Sequence, residues 1–176
     1  MSNMLLQKMI TLRLLSLSVV LLFISCKEVN KDKTVTILPD TTFEKIKLAD
    51  LKSNSFSLKQ YAGKTIFLNF WATWCKPCIA EMPTIEKARN ILNKEEIVFL
   101  IASGEAIEEI EAFKKTHDFN FNYCQIQNSE ELGFQALPTT YIFNAEGDLV
   151  FSESGYRKWD EKSNIDMILK IVNKNE

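Results

Sequence analysis

The chain has 176 residues, of which 46% are hydrophobic and 25% are charged, and its formal net charge is −2 at pH 7. This length suits one domain with an apolar core and leaves little room for a second. The slightly acidic balance lacks the basic surface that nucleic-acid-binding proteins use, so nucleic acid is excluded as a partner.

The first 25 residues are predicted to be a signal peptide rather than part of the fold. Two positive charges precede an uncharged run over residues 14–24, which is too short to span a bilayer but suits the apolar core of a signal peptide. The run ends in Ser25-Cys26, which resembles the cleavage box of bacterial lipoproteins, although Phe23 stands where that box usually has Leu. We expect Cys26 to carry a lipid; the alternative is an uncleaved anchor with Cys26 as an ordinary thiol.

Residues 26–40 are predicted to be a tether, because they are mostly polar and end near a proline. The folded domain is expected over residues 41–176. Cleavage after residue 25 removes two positive charges and changes the net charge from −2 to −4. Lipid-anchored or not, the domain is expected outside the cytoplasm, in the cell envelope, facing the periplasm or the exterior.

The first half of the domain alternates strand and helix patterns. Residues 43–48 alternate apolar and polar side chains and are predicted to pair with residues 54–58 as an N-terminal β-hairpin. A helical turn closed by Gly63 follows. Residues 65–71 form a buried strand by composition, and residues 79–92 have the residue types of a helix.

The second half of the domain repeats the strand–helix order and then ends in a hairpin and a helix. The predicted elements are a strand over residues 96–102, a helix over 106–117, strands over 139–144 and 149–152, and a helix over 160–172. This order predicts an α/β fold in three layers, in which the first strand–helix–strand unit is parallel and right-handed.

Cys75 and Cys78 lie two residues apart, where the buried strand meets the first long helix. Free N–H groups and the positive end of the helix dipole favour a thiolate there, so the pair predicts a redox site. Cys75 is expected to attack a substrate disulfide, and the more shielded Cys78 is expected to resolve the mixed disulfide. Lys76 should lower the pKa of Cys75, and Pro77 fits the first helical turn.

The segment Leu68-Asn-Phe-Trp-Ala-Thr-Trp-Cys-Lys-Pro-Cys78, together with Leu137-Pro-Thr-Thr140, resembles thioredoxin-fold oxidoreductases. The resemblance is greatest to membrane-anchored, extracytoplasmic members of the TlpA/ResA type, which reduce disulfides and often take part in cytochrome c maturation. It implies a thioredoxin-like three-layer fold with a central mixed sheet flanked by helices. It also implies protein substrates with disulfides or dithiols, no cofactor beyond the Cys75–Cys78 disulfide, and a membrane electron donor or acceptor for recycling.

The resemblance also gives Glu81 a role. Glu81 lies three residues after Cys78 and shares its helix face. In thioredoxin a buried acid stands on the central strand, where this chain has Asn69; in the extracytoplasmic branch a glutamate at the place of Glu81 assists proton transfer. The alternative is that Glu81 only stabilises the helix dipole.

The same resemblance implies a substrate-binding surface beside the dithiol. Its residues are Trp74, Lys76, Pro77, Leu137, Pro138 and Thr139. The Leu137–Pro138 peptide bond is expected to be cis, so that the Leu137 backbone faces Cys75 and pairs with an extended substrate segment. The alternative is an ordinary proline at the start of a strand.

Other functions of a cysteine pair fit this sequence less well. Half of a zinc site would need two further ligands, and the cysteine and histidine left for that task, Cys124 and His117, are not at a ligand spacing, so no metal site is expected. Cys124 follows Phe119, Phe121 and Tyr123 in a strand pattern and is predicted to be a structural thiol; the alternative is a third redox partner. A copper metallochaperone remains an alternative function, as does a peroxiredoxin-like peroxidase, which would need a threonine where Ala72 stands.

Overall fold

The computed structural model describes residues 41–175. The predicted signal peptide, the tether and the lipid site at Cys26 lie outside the described residues. No helix within residues 41–175 is long and apolar enough to cross a membrane.

Residues 41–175 form seven strands, five α-helices and two 3₁₀ turns. Its strands are β1 Leu48–Ala49, β2 Ser55–Phe56, β3 Thr65–Trp71, β4 Ile97–Ser103, β5 Asn122–Ile126, β6 Thr139–Phe143 and β7 Leu149–Ser154. Its α-helices are α1 Thr41–Lys45, α2 Lys76–Ile91, α3 Ile107–Thr116, α4 Ser129–Leu132 and α5 Lys162–Val172. Two 3₁₀ turns, Leu58–Tyr61 and Asn173–Asn175, complete it.

Within these residues the strands form one mixed sheet in the order β2-β1-β5-β4-β3-β6-β7. β3 pairs in parallel with β4, and β4 in parallel with β5, whereas β6 runs antiparallel to β3 and β7 antiparallel to β6. The parallel β3–α2–β4 unit and the antiparallel β1–β2 hairpin agree with the prediction. The central position of β3 places its carboxyl end, and the cysteines that follow, in the middle of one sheet edge.

The side chains of β3 alternate between two apolar cores, one on each face of the sheet. On one face, Phe67 packs its ring 4.8 Å from that of Phe99 and 4.7 Å from that of Trp159, beneath the long helices α2, α3 and α5. On the other face, Phe70 and its neighbours pack under the short segments, including Phe43 and Phe134. The three layers are therefore unequal, with all three long helices on one face.

The predicted strand over residues 43–48 is wrong in its first half. Residues Thr41–Lys45 form a helical turn, and β1 keeps only two residues. Phe43 and Ile46 are three residues apart, a spacing that a helical turn satisfies as well as an irregular strand. The turn sets the ring of Phe43 5.3 Å from that of Phe143 and against Gly147, where the chain enters the domain.

The remaining differences are at the ends of elements and in the short helix α4. Helix α2 begins three residues before the predicted residue 79, because Cys75 caps it and Pro77 is accommodated in its first turn. Helix α4 was not predicted: it has four residues, and a left-handed Gly133 (φ 64°) ends it. The turn before β7 was predicted, and Gly147 supplies its positive φ of 89°.

Candidate active site

A disulfide joins Cys75 to Cys78 at the amino end of α2, with an S–S distance of 1.99 Å. β3 ends at Trp71, and the chain turns at once, with the Cys75 N–H donating to the Ala72 carbonyl at 3.0 Å. Cys75 is the N-cap of α2, and its Sγ accepts the Cys78 N–H at 3.3 Å. Thus the sulfur that is expected to attack lies where helix N–H groups stabilise negative charge.

The surroundings of the two cysteines differ slightly. Cys75 is 4% exposed and Cys78 is 1% exposed, so both sulfurs are buried in the disulfide form. Lys76 and Pro77 are exposed on the first turn of α2. Trp74 is 71% exposed, which leaves a large apolar surface open beside the disulfide.

The Leu137–Pro138 peptide bond is cis, as expected. Pro138 is buried, and its carbonyl accepts the N–H of Gly155 at 2.8 Å. The hydroxyl of Thr139 donates to the Ala136 carbonyl at 2.7 Å. These bonds tie the start of β6 to the loops on both sides and fix the backbone at Leu137.

A groove of about 440 Å³ is lined in part by Ala72 and Trp74, in the turn that leads to Cys75, although neither cysteine lines it. It lies between the turn after β3, the loop after β4 and the segment that leads to Pro138. Its apolar lining includes Phe70, Trp71, Trp74, Phe134 and Leu137. The groove therefore brings together Trp74 and Leu137, two of the predicted substrate-binding residues.

Glu81 is buried on α2, 1% exposed, and held by two donors. The Asn69 side-chain amide donates to Oε1 at 2.7 Å, and the Arg157 main-chain N–H donates to Oε2 at 3.0 Å. Burial raises the pKa of Glu81 to about 7, and these two hydrogen bonds, with smaller effects of Trp159 and of the Arg157 charge, oppose that rise. Near neutral pH the carboxyl can therefore both bind and release a proton.

Asn69 links this carboxyl to the neighbouring strand. Its amide also donates to the Thr140 hydroxyl at 2.9 Å, because the antiparallel register of β3 and β6 places Asn69 opposite Thr140. Where thioredoxin has a buried acid, this chain thus has Asn69, whose amide donates to the Glu81 carboxylate on α2. The resemblance to thioredoxin pointed to Asn69 as the residue in place of the buried acid, but its contact with Glu81 was not predicted.

Sequence reasoning missed Arg157 altogether, since nothing in its neighbourhood marks it. Its guanidinium lies 5.3 Å from the ring centre of Phe151 and 5.4 Å from that of Trp159, and it pairs with Glu153. These contacts fix the loop between β7 and α5. They hold the Arg157 N–H in place against Glu81.

Cys124 does not join the disulfide. It is 2% exposed in the core on the face of the sheet opposite to Cys75 and Cys78, and burial raises its pKa to about 12. His117 ends α3 and stacks on Phe113 at 3.9 Å between ring centres. Among residues 41–175, no three or more Cys, His, Asp or Glu side chains lie together as a potential metal site.

The position of Cys124 leads to a testable prediction. Cys124→Ala should lower the free energy of unfolding by about 1 kcal/mol, because it removes a buried sulfur from a packed core. Disulfide exchange should stay within about twofold of the wild-type rate, since the sheet separates Cys124 from the pair. Urea unfolding and insulin reduction measure the two quantities; a loss of exchange as large as that in Cys78→Ser would contradict a purely structural role.

Comparisons with known proteins agree with this geometry. Residues 33–169 match the Redoxin family. The chain is 35% identical over 108 residues to Thiol-disulfide oxidoreductase ResA of Geobacillus kaustophilus, a match that covers 58% of this chain and 61% of that protein. It is 36% identical over 105 residues to Thioredoxin-like protein YneN of Bacillus subtilis, covering 57% and 62%. The chain thus spans about three fifths of the length of these relatives.

Among solved structures, the chain is similar to the thioredoxin domain of a thiol-disulfide oxidoreductase from Bacteroides vulgatus. The TM-score is 0.61 at 23% identity, and the match covers 73% of this chain and 93% of that one. This likeness confirms the predicted thioredoxin-like fold with its central mixed sheet. The family match covers most of the chain, and we conclude that the chain belongs to the Redoxin family.

Proposed function

We propose that this protein is a thiol–disulfide oxidoreductase that exchanges electrons with disulfides or dithiols of other proteins. The observation that carries the proposal is the Cys75–Cys78 disulfide at the amino end of α2, where Cys75 Sγ accepts a helix N–H. The name of the ResA relative, a thiol-disulfide oxidoreductase, supports it. We propose Cys75–Cys78 as the sole redox group.

The exchange proceeds in two displacements. The Cys75 thiolate attacks one sulfur of a client disulfide, forms a mixed disulfide and releases the other client sulfur as a thiolate. The Cys78 thiolate then attacks Cys75 Sγ, closes the Cys75–Cys78 disulfide and releases the second client thiolate. Two electrons pass to the client, whose thiolates take up two protons, and the reverse sequence oxidises a client dithiol.

Glu81 is proposed to handle the proton of the dithiol. Cys78 must lose its proton before it can attack the mixed disulfide, and a carboxyl with a pKa of about 7 can accept it. Glu81 lies one helical turn after Cys78 on the same face of α2. The hydrogen bonds from Asn69 and Arg157 keep the carboxyl in place while it changes charge.

Clients are proposed to dock in the groove, against Trp74 and the Leu137 backbone next to Pro138. Trp74→Ala should lower kcat/KM for a protein disulfide by about tenfold, because exposed aromatic anchors contribute about 1–2 kcal/mol to such contacts. The free energy of unfolding should change by less than about 0.5 kcal/mol, since the side chain is mostly exposed. Insulin reduction and urea unfolding measure these quantities.

A matched control for Trp74→Ala is Ile91→Ala, at the opposite end of α2, where the side chain is 57% exposed. We expect insulin reduction by the Ile91 variant to equal that of the wild type. Equal rates for the Trp74 and Ile91 variants would contradict docking against Trp74.

The location and partners are proposed from the sequence. A signal peptide over residues 1–25, a lipid on Cys26 and a tether over residues 26–40 would hold the domain at a membrane in the cell envelope, where a membrane electron donor or acceptor recycles the pair. Cytochrome c maturation is the process that the TlpA/ResA resemblance supports. Mass spectrometry of the mature amino terminus tests the lipid: an unmodified terminus would refute it.

The activity itself is tested on the full-length protein. Insulin is incubated with the protein and dithiothreitol, and its reduction is compared with the reaction without protein. Equilibration with glutathione buffers, followed by alkylation, then gives the reduction potential of the pair. A wild-type protein that neither accelerates insulin reduction nor equilibrates with glutathione would refute the proposed function.

A further inference from the structure

Glu105 connects the loop after β4 to the turn that precedes Cys75. Its Oε2 accepts the Thr73 main-chain N–H at 2.7 Å, and its Oε1 accepts the Thr73 hydroxyl at 2.6 Å. The hydroxyl of the fully buried Ser103 donates to Oε2 at 2.9 Å. One half-buried carboxylate therefore accepts three hydrogen bonds, two of them from a single residue of the active-site turn.

The loop that carries Glu105 is itself fixed. β4 pairs in parallel with β3 up to Trp71 opposite Ser103, so the two loops leave the sheet side by side. The Gln125 side-chain amide, on β5, donates to the Glu105 carbonyl at 3.0 Å. The Glu105 N–H donates to the Ser103 hydroxyl at 3.2 Å. Glu105 thus presents its carboxylate to Thr73 from a backbone held by two strands.

The position of Thr73 gives these bonds a consequence. Thr73 lies between Ala72, whose carbonyl accepts the Cys75 N–H, and Trp74, which stands exposed at the groove. A turn fixed at Thr73 determines where Trp74 projects and keeps Cys75 Sγ against the helix N–H of Cys78. Glu105 also lines the groove with Ala72 and Trp74.

We propose that Glu105 is a positioning residue for the dithiol: through Thr73 it holds the Ala72–Trp74 turn so that Cys75 stays at the helix N-terminus. This inference rests on the proposed function for its meaning in catalysis. The Glu105 carboxylate binds Thr73 and Ser103 and makes no hydrogen bond to the sulfurs of Cys75 and Cys78. Its effect on Cys75 passes through the backbone of the turn.

The test compares three variants in a Cys78→Ser background, where iodoacetamide alkylation at pH 7 reports the Cys75 thiolate. Glu105→Ala removes all three hydrogen bonds and should slow alkylation about fivefold, the effect of one lost hydrogen bond to the thiolate. Glu105→Gln should be alkylated at the parent rate, because its amide oxygen can accept two of the bonds and its NH₂ can donate to the Thr73 hydroxyl.

The matched control is Glu109→Ala. Glu109 accepts the Ala106 N–H at 3.0 Å at the start of α3, and within residues 41–175 it has no hydrogen bond to the active-site turn. Glu109→Ala also removes one carboxylate from the segment after β4, so alkylation should match the parent. The pH dependence of alkylation should move to higher pH in Glu105→Ala alone, a change that general destabilisation would not produce.

Two results would overturn the proposal: an unchanged alkylation profile in Glu105→Ala, or equal slowing in Glu105→Ala and Glu105→Gln. Should Glu105→Ala fail to fold, Thr73→Val decides the matter, since it removes only the hydroxyl bond. It should slow alkylation about twofold, and an unchanged rate would overturn the proposal. Alkylation of Cys75 requires no disulfide exchange. A wild-type protein that does not reduce insulin would therefore refute the proposed function, and the alkylation rates would still test the role of Glu105.

Discussion

Cys75→Ser is expected to abolish disulfide exchange, lowering the rate of insulin reduction by more than about 10³-fold, as loss of a nucleophile does. Serine cannot replace the thiol, because the helix N-terminus that favours a thiolate does not ionise a hydroxyl at neutral pH. The fold should persist, since the oxygen can still accept the Cys78 N–H that the sulfur accepts at 3.3 Å. Full activity in this variant would refute the mechanism.

Cys78→Ser is expected to fail differently. Cys75 can still attack a client, but no second thiol closes the ring, so mixed disulfides accumulate. They should appear on non-reducing gels as products of higher mass, which disappear when dithiothreitol reduces the disulfide. Mass spectrometry of these products identifies the clients. The double variant Cys75→Ser/Cys78→Ser is the matched control, and adducts that persist in it would have to come from another cysteine.

The second large effect concerns Glu81 and pH. The folded protein raises the pKa of Glu81 from 4.5 to about 7, so between these values the folded state binds more protons than the unfolded state. The stability that this proton contributes is present below pH 4.5 and is lost as the pH rises through 7. The oxidised wild-type protein should therefore lose about 2–3 kcal/mol relative to Glu81→Gln between pH 5 and pH 8.

Urea unfolding of the oxidised proteins at several pH values measures this difference. Glutamine fits the site once the Asn69 amide flips: the glutamine NH₂ then donates to Asn69 Oδ1, which also accepts the Thr140 hydroxyl, while the glutamine oxygen accepts the Arg157 N–H. Glu111→Gln, on the exposed side of α3, controls for the loss of a surface carboxylate. A stability gap between wild type and Glu81→Gln that stays constant from pH 5 to pH 8 would show that the Glu81 pKa is not raised.

The long elements were predictable because each contains enough residues to show its own periodicity or composition. β3 was predicted with its observed bounds, since six of the seven residues over 65–71 are apolar or β-prone. The β1 region was not, because the spacing of Phe43 and Ile46 fits a helical turn and a strand equally. Helix α4 escaped prediction because four residues are too few to show a period.

The site was predictable only as far as it is local in the sequence. The dithiol, its helix and the segment Leu137–Thr140 carry their own patterns. The hydrogen-bond partners of Glu81 carry no such pattern. Asn69 is held by Thr140 through the register of two strands, and Arg157 lies 76 residues from Glu81 in the chain. Such contacts are set by tertiary packing, which no spacing within one segment encodes.

The place where the chain enters the domain has a consequence for orientation. Phe43 packs against Phe143, which pairs with Ile66 near the beginning of β3, whereas the dithiol follows the end of that strand. A seven-residue strand separates its two ends by about 20 Å. In a domain attached to a surface through its amino terminus, the reactive sulfurs would thus lie at the end of the domain opposite to the attachment. They would be accessible to clients from the surrounding compartment.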